Sequence, residues 1–550
     1  MRRLHKNSTY PPKSSDLESD DVSRDQHTRF GSLSPLKLMG GFVVCLMGLS
    51  VLFSVSVIFK DFTIWDSAVV AHDGASRILD VGPHREQEDD SLVSFVNPKK
   101  RLHYSGFEHN DKLLNGLLSS RFDEDSCLSR YQAASYRKES PYKPSSYLVS
   151  RLRRYEALHQ HCGPHTESYK RAVTKLRSGE TPENDSDCNY LVWVSFSGLG
   201  NRILTLASWL LPLDFPIIDH FKNLNQQSPE CFGNMLKTSR NSSSLSPYVY
   251  LHLVHDYDDH DKLFFCDQDQ SFLQNVSWVI MKSDNYFIPS LFLMPTFEQE
   301  LHTLFPEKET VFHFLGRYLF FPTNPVWGLI TRYYNSYLAE ADERIGIQIR
   351  VFDTRPGPFQ YVLDQILACS FDNNMLPEIS SNESLVASPG NQKSKAVLLT
   401  SLSSGYFEKI RDMYWEHATV TGEVIEVFQP SHEGYQQTEK KMHHRKAWAE
   451  MYLLSLSDKL ITSSWSTFGY VAQSLGGLNP WILYKPENET TPNPACTRAM
   501  SIEPCFHAPP FFDCKKRTGI DTGVIVPHVR HCEDMSWGLK LVSPTVVSIV

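Results

Sequence analysis

The C-terminal half of the chain alternates between short apolar runs and longer amphipathic stretches. The apolar runs predict β-strands at 345–351, 395–400, 424–428, 459–463 and 481–484, and the stretches predict helices at 358–370, 404–416, 437–457 and 466–476. This alternation is typical of a parallel sheet covered by helices on both faces. The N-terminal half repeats it more weakly, with strands predicted at 190–196, 248–254 and 277–282. We therefore predict an α/β protein with two Rossmann-like lobes and a cleft between them.

A different pattern lies near the N-terminus, where residues 38–59 are 22 consecutive positions without a charge. A helix of this length can cross a bilayer core of roughly 30 Å. A signal peptide is the alternative, but its apolar region usually has only about 7–15 residues, and a long polar tail precedes this run. Lys and Arg are more frequent before the run than just after it, which places the N-terminus in the cytosol. The pattern predicts a single-pass type II anchor.

These patterns divide the chain into five parts. Residues 1–37 are polar and rich in Ser and Asp, and they predict a disordered cytosolic tail before the anchor at 38–59. Residues 60–100 show little periodicity, which is typical of a flexible stem. The predicted lobes follow, an N-terminal lobe at 101–340 and a C-terminal lobe at 341–550.

Composition and charge narrow the range of partners. The 550 residues are 41% hydrophobic, which is sufficient to bury substantial cores, and the net charge is −9. Such a chain has no overall attraction to nucleic acid, so any anion must be bound locally. Ten of the eleven cysteines follow the anchor and no CxxC pair occurs, which favours disulfides in an oxidising lumen over zinc ligation. Their connectivity does not follow from the spacing.

Asn-x-Ser/Thr sequons occur on the same side of the anchor as these cysteines. They predict N-glycosylation in the secretory pathway at Asn184, Asn241, Asn275, Asn382 and Asn488. The sequon at Asn7 precedes the anchor, so we expect it to remain unmodified in the cytosol.

The first candidate binding motif is SGLGNR, at 197–202, because ligands of open parallel sheets bind beyond the carboxyl ends of the strands. Its two glycines permit a tight turn and a close approach of the backbone. Asn201 and Arg202 can donate to a phosphate or a sugar at the start of the following helix. A plain turn is the alternative, since the third glycine of a dinucleotide fingerprint is missing.

Two further candidates follow strands of the C-terminal half. Arg350 ends IGIQIR, and its guanidinium suits bidentate capture of a diphosphate; an interior salt bridge with Asp353 explains it equally well. The motif SSWSTFGY, at 463–470, opens an apolar helix. An N-cap at Ser466 or Thr467 leaves backbone N–H groups at the positive end of the helix dipole, which is a phosphate site without a metal. An ordinary serine cap is the alternative.

Asp284 follows the apolar strand at 277–282 and precedes an aromatic loop. A carboxylate in this position can remove a proton from an acceptor hydroxyl, particularly where burial raises its pKa. Capping of a turn by Asp-Asn is the alternative.

We do not assign a binding or catalytic site to the other clusters of charged residues. HDYDDHD, at 255–261, and the pair Asp267 and Asp269 do not follow the apolar strand in the way that a metal-binding DxD does, so we interpret both as solvated loop charge. His443 and His444 lie beside lysines and predict a basic helix face. The sequence predicts no metal site and contains no GxSxG or HExxH motif.

Several long motifs together resemble one family. They are GLGNRILTLAS, WLLPLDFP, GIQIRVFD with PGPFQYVLDQI, YQQTEKKMH, SSWSTFGYVAQSLGGLNPWILY and PHVRHCEDMSWGLKLV, within residues 100–542. They resemble the plant galactoside 2-α-L-fucosyltransferases of the xyloglucan fucosyltransferase family. The resemblance implies a Golgi type II membrane enzyme of a variant GT-B fold. It implies transfer of L-fucose from GDP-β-L-fucose to the 2-hydroxyl of a terminal galactose, with inversion and without a required metal or other cofactor.

The resemblance also implies roles for the candidate residues. Arg350 would neutralise the diphosphate, Asn201 and Arg202 would border the fucosyl group, and Asp284 is the candidate base. The remaining expected contacts to GDP are Ser401, Ser466, Thr467, Phe468, Gly469 and Tyr470. The C-terminal lobe would bind the donor and the N-terminal lobe the acceptor. A homodimer or a complex with other Golgi transferases is a further expectation.

The chain departs from the family pattern at one junction. Ser208 meets Trp209 directly, where the family has a further strand and loop; part of a βαβ unit of roughly 30 residues is expected to be missing. Two alternatives to xyloglucan fucosylation stay open, since the missing segment affects activity and since xyloglucan and arabinogalactan both offer a galactose 2-hydroxyl. One is fucosylation of arabinogalactan, and the other is a catalytically silent member that binds glycan or scaffolds a complex.

Overall fold

The computed structural model describes residues 111–544, apart from 180–187, 209–215, 239–245, 271–272, 274–275, 353–354, 356, 381–391 and 439. The predicted tail, anchor and stem lie outside the described residues, as do the predicted glycosylation sites Asn184, Asn241, Asn275 and Asn382. Asn488 is described, and it lies exposed in a turn. Within the described part, no helix has the length and apolar character needed to cross a membrane.

The described residues form α-helices and β-strands, which alternate one by one from β4 to β8. The helices are α1 (Leu128–Gln132), α2 (Ser146–Cys162), α3 (Glu167–Ser178), α4 (Leu199–Ser208), α5 (Phe232–Thr238), α6 (Ile288–Leu291), α7 (Pro295–Leu304), α8 (Val311–Leu319), α9 (Asn324–Tyr337), α10 (Gln360–Asp372), α11 (Gly405–Glu416), α12 (Lys441–Leu454) and α13 (Thr467–Gly476). The strands are β1 (Tyr190–Val194), β2 (Tyr248–Leu253), β3 (Trp278–Ser283), β4 (Glu343–Ile349), β5 (Ser394–Ser401), β6 (Val424–Phe428), β7 (Lys459–Ser463), β8 (Trp481–Leu483), β9 (Cys496–Arg498), β10 (Phe512–Asp513), β11 (Thr518–Gly519), β12 (Val529–His531) and β13 (Leu539–Leu541).

The larger sheet has six strands in the order β6-β5-β4-β7-β8-β9. Its pairs are parallel except for β8 with β9, which is antiparallel. The central strand β4 is buried because Ile345, Ile347 and Ile349 pack into one apolar cluster with residues of β5 and β7. The prediction of an α/β fold with a parallel sheet is confirmed, and β9 is an addition that the sequence pattern did not indicate.

The smaller sheet has three parallel strands in the order β1-β3-β2. Across the β1–β3 pair, the rings of Tyr190 and Trp278 stack with centroids 4.3 Å apart. Among the described residues, β1 pairs only with β3, so its other side is an edge of this sheet. The short helical segment Pro216–Phe221, which follows the junction after Ser208 along the chain, contacts β1.

The packing clusters do not follow the boundary predicted between 340 and 341. Residues of the C-terminal segment, among them Phe506 and Leu539, pack in one cluster with Leu251 of β2 and Met281 of β3. Conversely, Trp327 of α9 packs with residues of β5 and β7. The strands divide as the sequence predicts, but helices and loops cross from each half to the other.

The described residues contain four disulfides, which confirms the prediction that disulfides form and adds their connectivity. Two are local, Cys162–Cys188 and Cys505–Cys532, and two join distant segments, Cys266–Cys514 and Cys369–Cys496. Cys127 and Cys231 are free thiols within the described part of the chain.

Candidate active site

The carboxyl ends of β5, β4 and β7 bring three of the candidate segments together. Ile349 is paired in register with Ser401, so Arg350 follows directly beside the end of β5. On the other side of β4, the backbone N–H of Arg350 donates to Ser463 Oγ at 2.9 Å. The structure therefore places Arg350 between Ser401 and the first residues of the SSWSTFGY motif.

Arg350 is half-buried and has neutral neighbours. Its Nη2 donates to Gln436 Oε1 at 3.2 Å, and the ring of Phe352 lies 5.1 Å from the guanidinium carbon. Among the described residues no carboxylate pairs with Arg350; Asp353, the partner that the sequence offered, lies outside them. Burial lowers the pKa of Arg350 below its usual value. Among the described residues, this guanidinium has lost water without gaining a counter-ion, which favours the binding of an anion.

The N-terminus of α13 has the cap that the sequence predicts. Ser466 is the N-cap residue, and its side chain accepts from the backbone N–H of Gly469 at 3.3 Å. The first helical N–H groups, those of Thr467 and Phe468, have no backbone partner among the described residues. Because the positive end of the helix dipole coincides with these free donors, this terminus can receive an anion.

Two members of the predicted GDP-binding set are positioned to build the turn. Tyr470 is only 1% exposed, and its hydroxyl donates to Asp534 Oδ2 at 2.6 Å. Gly469 packs so closely that a Cβ there would lie 2.7 Å from Thr462 Oγ1. Asp534 also accepts from the backbone N–H of Trp465 at 2.9 Å. These residues hold the turn, whereas Thr467 and Phe468 present its donors.

The glycine turn allows a close approach of the backbone, as predicted, and the approach is between the start of α4 and the start of α13. A Cβ on Gly200 would lie 2.6 Å from Thr467 Oγ1 and 2.9 Å from its backbone carbon. The next residue, Asn201, accepts from Thr467 Oγ1 at 2.8 Å and donates to the backbone O of Asp284 at 3.3 Å. Asn201 thus links α4, α13 and the end of β3.

Arg202 stabilises the turn that precedes α4. Its Nε donates to the backbone O of Ser197 at 2.8 Å, and Ser197 has a φ of 65°, a left-handed conformation. A hydrogen bond from a neighbouring guanidinium stabilises a residue held in this uncommon conformation. The prediction that Arg202 borders the fucosyl group stays a prediction.

The interpretation of 255–261 as solvated loop charge is wrong for Asp261, which is buried, whereas His255 is exposed but hydrogen-bonded. Asp261 is 1% exposed and accepts from the backbone N–H of Gly233 at 3.3 Å and from Gln226 Nε2 at 3.1 Å. His255 donates through Nδ1 to Asp284 Oδ2 at 2.6 Å. Sequence spacing did not reveal this pair, because His255 and Asp284 lie on different strand ends.

The remaining charged clusters are also ion-paired. Asp269 pairs with Arg517 at 2.9 Å. The predicted basic face of α12 is partly neutralised, because His443 and Lys446 both contact Glu433. Glu433 belongs to the same loop as Gln436, so these pairs fix the loop that contacts Arg350. Gln436 was missed as a site residue, and its place in YQQTEKKMH is the signal that could have revealed it.

Known proteins match this chain over most of its length. The family described as xyloglucan fucosyltransferase matches residues 89–208 and 206–515, in two segments that meet at the junction after Ser208. A galactoside 2-α-L-fucosyltransferase of Pisum sativum is 59% identical over 543 residues, covering 93% of each chain. One of Arabidopsis thaliana is 55% identical over 547 residues, covering 94% of each.

A solved structure agrees with the fold. It is a mutant of Arabidopsis thaliana FUT1 in complex with GDP, and it matches with a TM-score of 0.73 and 59% identity, covering 78% of this chain and 100% of that one. The family match spans well over half of the residues, and the relatives align along nearly the whole length. The chain therefore belongs to the xyloglucan fucosyltransferase family.

Proposed function

We propose that this protein transfers L-fucose from GDP-β-L-fucose to the 2-hydroxyl of a terminal galactose on xyloglucan, with inversion at the anomeric carbon. The observation that carries the proposal is the meeting of Arg350 with the free N-terminus of α13 at the ends of β4 and β7. A guanidinium and two backbone donors therefore follow the carboxyl ends of neighbouring strands, at the same edge of the sheet. The chemistry fits a diphosphate better than it fits a neutral ligand.

The leaving diphosphate sets the main catalytic task. As the bond from the anomeric carbon to the phosphate oxygen lengthens, positive charge develops on the sugar and negative charge on GDP. Groups that are fixed before the reaction stabilise such charge with little reorganisation. Arg350 is fixed by Gln436 and Phe352, and the N–H groups of Thr467 and Phe468 are fixed by the Ser466 cap.

The acceptor would approach from the ends of β2 and β3. Asp284 lies there and is tied by its backbone to Asn201, which contacts Thr467. Inversion requires that a hydroxyl held here attack the anomeric carbon from the side opposite to the diphosphate. Holding both substrates in line supplies a large part of the acceleration.

The proposal extends to the whole molecule. The two parallel sheets would be the lobes of a variant GT-B fold with the substrates in a cleft between them. Residues 38–59 would anchor the chain in the Golgi membrane as a type II protein, with the lobes and the sequons that follow the anchor in the lumen. No metal or other cofactor is required in this scheme, because Arg350 and the helix terminus take the charge of the diphosphate. Self-association or complexes with other Golgi transferases belong to the same proposal.

The test is an incorporation assay with the full-length chain and labelled GDP-fucose. The acceptors are galactose-ended xyloglucan, arabinogalactan, and xyloglucan from which the galactose has been removed. Label in the first acceptor alone, with fucose found at the galactose 2-hydroxyl and retained activity in EDTA, is the expected result. Label in arabinogalactan alone would show that arabinogalactan, and not xyloglucan, is the acceptor. No label in either polymer would contradict the proposal.

The junction after Ser208 favours one second candidate, a member that binds donor and glycan without transfer. The family match breaks there, and β1 has no second partner strand among the described residues. Loss of a strand would disturb the acceptor side and leave the residues at the ends of β4 and β7 in place. Binding of GDP-fucose by calorimetry without incorporation of label would favour this candidate, whereas binding with transfer would exclude it.

A further inference from the structure

The carboxylate of Asp284 is already occupied by neighbouring donors. Oδ1 accepts from the backbone N–H of His255 at 3.0 Å and from Asn285 Nδ2 at 3.1 Å, and Oδ2 accepts from His255 Nδ1 at 2.6 Å. The side chain is only 8% exposed. A sugar hydroxyl could reach these oxygens only by displacing His255.

The imidazole of His255 is exposed to solvent, whereas the carboxylate of Asp284 is buried. Its side chain is 66% exposed, and its Nε2 has no hydrogen-bond partner among the described residues. Because a carboxylate only accepts, Nδ1 must carry the proton that is shared with Asp284. In the neutral imidazole, Nε2 then carries the lone pair and can accept a proton.

The position of this pair fits the acceptor side of the proposed site. His255 follows the end of β2, Asp284 follows the end of β3, and these two strands are paired in register up to Leu253 and Ser283. The backbone O of Asp284 accepts from Asn201, which accepts from Thr467 at the start of α13. A short chain of hydrogen bonds therefore leads from the imidazole to the proposed diphosphate site.

We infer that His255, through Nε2, is the base that takes the proton from the acceptor hydroxyl, and that Asp284 is a positioning residue acting through it. This inference rests on the proposed function and replaces the role expected for Asp284. An imidazole fixed by a carboxylate through its other nitrogen is the arrangement that nucleophile-activating triads use. Here the activated hydroxyl belongs to the substrate.

Fucosyl transfer forms one bond at the anomeric carbon and breaks another. The galactose 2-oxygen forms a bond to the anomeric carbon of fucose while its proton passes to His255 Nε2. The bond between that carbon and the phosphate oxygen breaks, and its electron pair leaves with GDP. The imidazolium, stabilised by Asp284, later returns its proton to water.

The charges around His255 set the pH at which it can act. The hydrogen bond to Asp284 raises the pKa of His255 above its usual value; burial opposes this, and the negative charges of Asp284 and Asp256 add to it. Of the groups beyond the carboxylate, His507 is buried, and burial lowers its pKa despite the nearby Asp534 and Asp284. Since the base must be neutral, transfer should fall as the pH drops through the pKa of His255.

The test compares His255→Gln and Asp284→Asn with the wild-type chain and with His260→Gln. His260 is an exposed histidine of the same loop and serves as the matched control. We expect His255→Gln to lower kcat by about 100-fold or more and to leave the Kd for GDP unchanged. We expect Asp284→Asn to lower kcat and to move the acidic limb of the kcat/KM profile to lower pH, because the imidazole has lost its carboxylate.

A second variant separates chemistry from folding. In His255→Ala, added imidazole should restore part of the lost transfer, since the position is exposed; no such rescue is expected for Asp284→Ala. Near-normal kcat in His255→Gln, or an acidic limb that Asp284→Asn does not move, would overturn the inference and leave the proposed function standing. A wild-type chain that binds GDP-fucose but transfers nothing to either acceptor would instead overturn the proposed function, and the base assignment with it.

Discussion

Arg350 is the residue on which most of the proposed donor binding depends. Its position at the end of β4 follows from the alternation of IGIQIR, in which Gln348 and Arg350 share one side of the strand. Its surroundings could not be predicted, because Gln436 lies 86 residues away along the chain. Local periodicity gave the strand, and tertiary packing supplied the contacts of the guanidinium.

Replacing Arg350 with Ala should reduce kcat/KM for fucosyl transfer by about 100-fold or more, because the departing diphosphate loses a fixed positive charge. Initial rates of label incorporation measure this. Arg411→Ala is the control, since Arg411 is exposed and, among the described residues, its ion pair is with its neighbour Asp412. Transfer by Arg350→Ala within a few-fold of the control would reject the role assigned to this side chain.

Glu503 shows a residue whose importance the sequence did not indicate. It is fully buried, where it accepts from the hydroxyl of Tyr286 at 2.5 Å and from the backbone N–H of Phe312 at 2.8 Å. Burial is the main cause that raises the pKa of Glu503 from its ordinary 4.5 to about 8. The acid joins the end of β3, the start of α8 and the C-terminal segment.

This carboxyl makes stability depend on pH. Between its unfolded pKa of 4.5 and its folded pKa of about 8, the unfolded chain has released a proton that the folded chain retains. The free energy of unfolding contributed by Glu503 should therefore fall as the pH rises through this window. Thermal unfolding at pH 5 and pH 8 should show a smaller difference in Tm for Glu503→Gln than for wild type. The exposed Glu416→Gln is the control, and an equal difference in all three proteins would contradict the account.

At the scale of elements, the site depends on the contact between the N-termini of α4 and α13. The capping serine and the glycine turn could be predicted from sequence, because caps and tight turns have local signatures. The contact between the two helices could not be predicted, since Asn201 and Thr467, which join them, lie 266 residues apart along the chain. Only the absence of a Cβ at Gly200 allows the helices to approach this closely.

Gly200→Ala should therefore push the two termini apart. The added Cβ would meet the backbone of Thr467 at 2.9 Å, and overpacking of this kind costs about 1–3 kcal/mol, which exceeds the gain in helix propensity from Ala. A lower Tm together with weaker GDP binding is expected. The control is Gly328→Ala in α9, where the nearest atom is the flexible end of Arg332. Unchanged GDP binding in Gly200→Ala would show that the helix contact does not shape the site.

Disulfides also connect elements, and their pairing could not be predicted from the sequence. Cys266–Cys514 ties the segment after β2 to the small hairpin of β10 and β11 across 248 residues. Cys266→Ser should cost about 2–5 kcal/mol of stability, measured as a lower Tm under oxidising conditions. Cys127→Ser, at a free thiol, should change Tm little. Equal effects of the two substitutions would contradict the structural role of this bridge.

At the scale of the whole molecule, described segments of each half pack against the sheet of the other half, which the pattern of strands does not indicate. Alternating apolar runs gave nearly every strand of the two main sheets within one or two residues, because that signal is local. The same reasoning placed the lobe boundary at 340/341 and could not see that Phe506 and Leu539 complete the core beside β2 and β3. Such contacts depend on which elements meet, and no local window contains that information. The pairing of His255 with Asp284 was not predicted for the same reason, since these residues meet only when two strands lie side by side.

The central claim is that the guanidinium of Arg350 and the N-terminus of α13 bind the diphosphate of GDP. A crystal structure of this chain with GDP tests it most directly. We predict that phosphate oxygens lie within hydrogen-bond distance of the Arg350 guanidinium and of the backbone N–H groups of Thr467 and Phe468. GDP bound with its phosphates away from both groups would contradict the account.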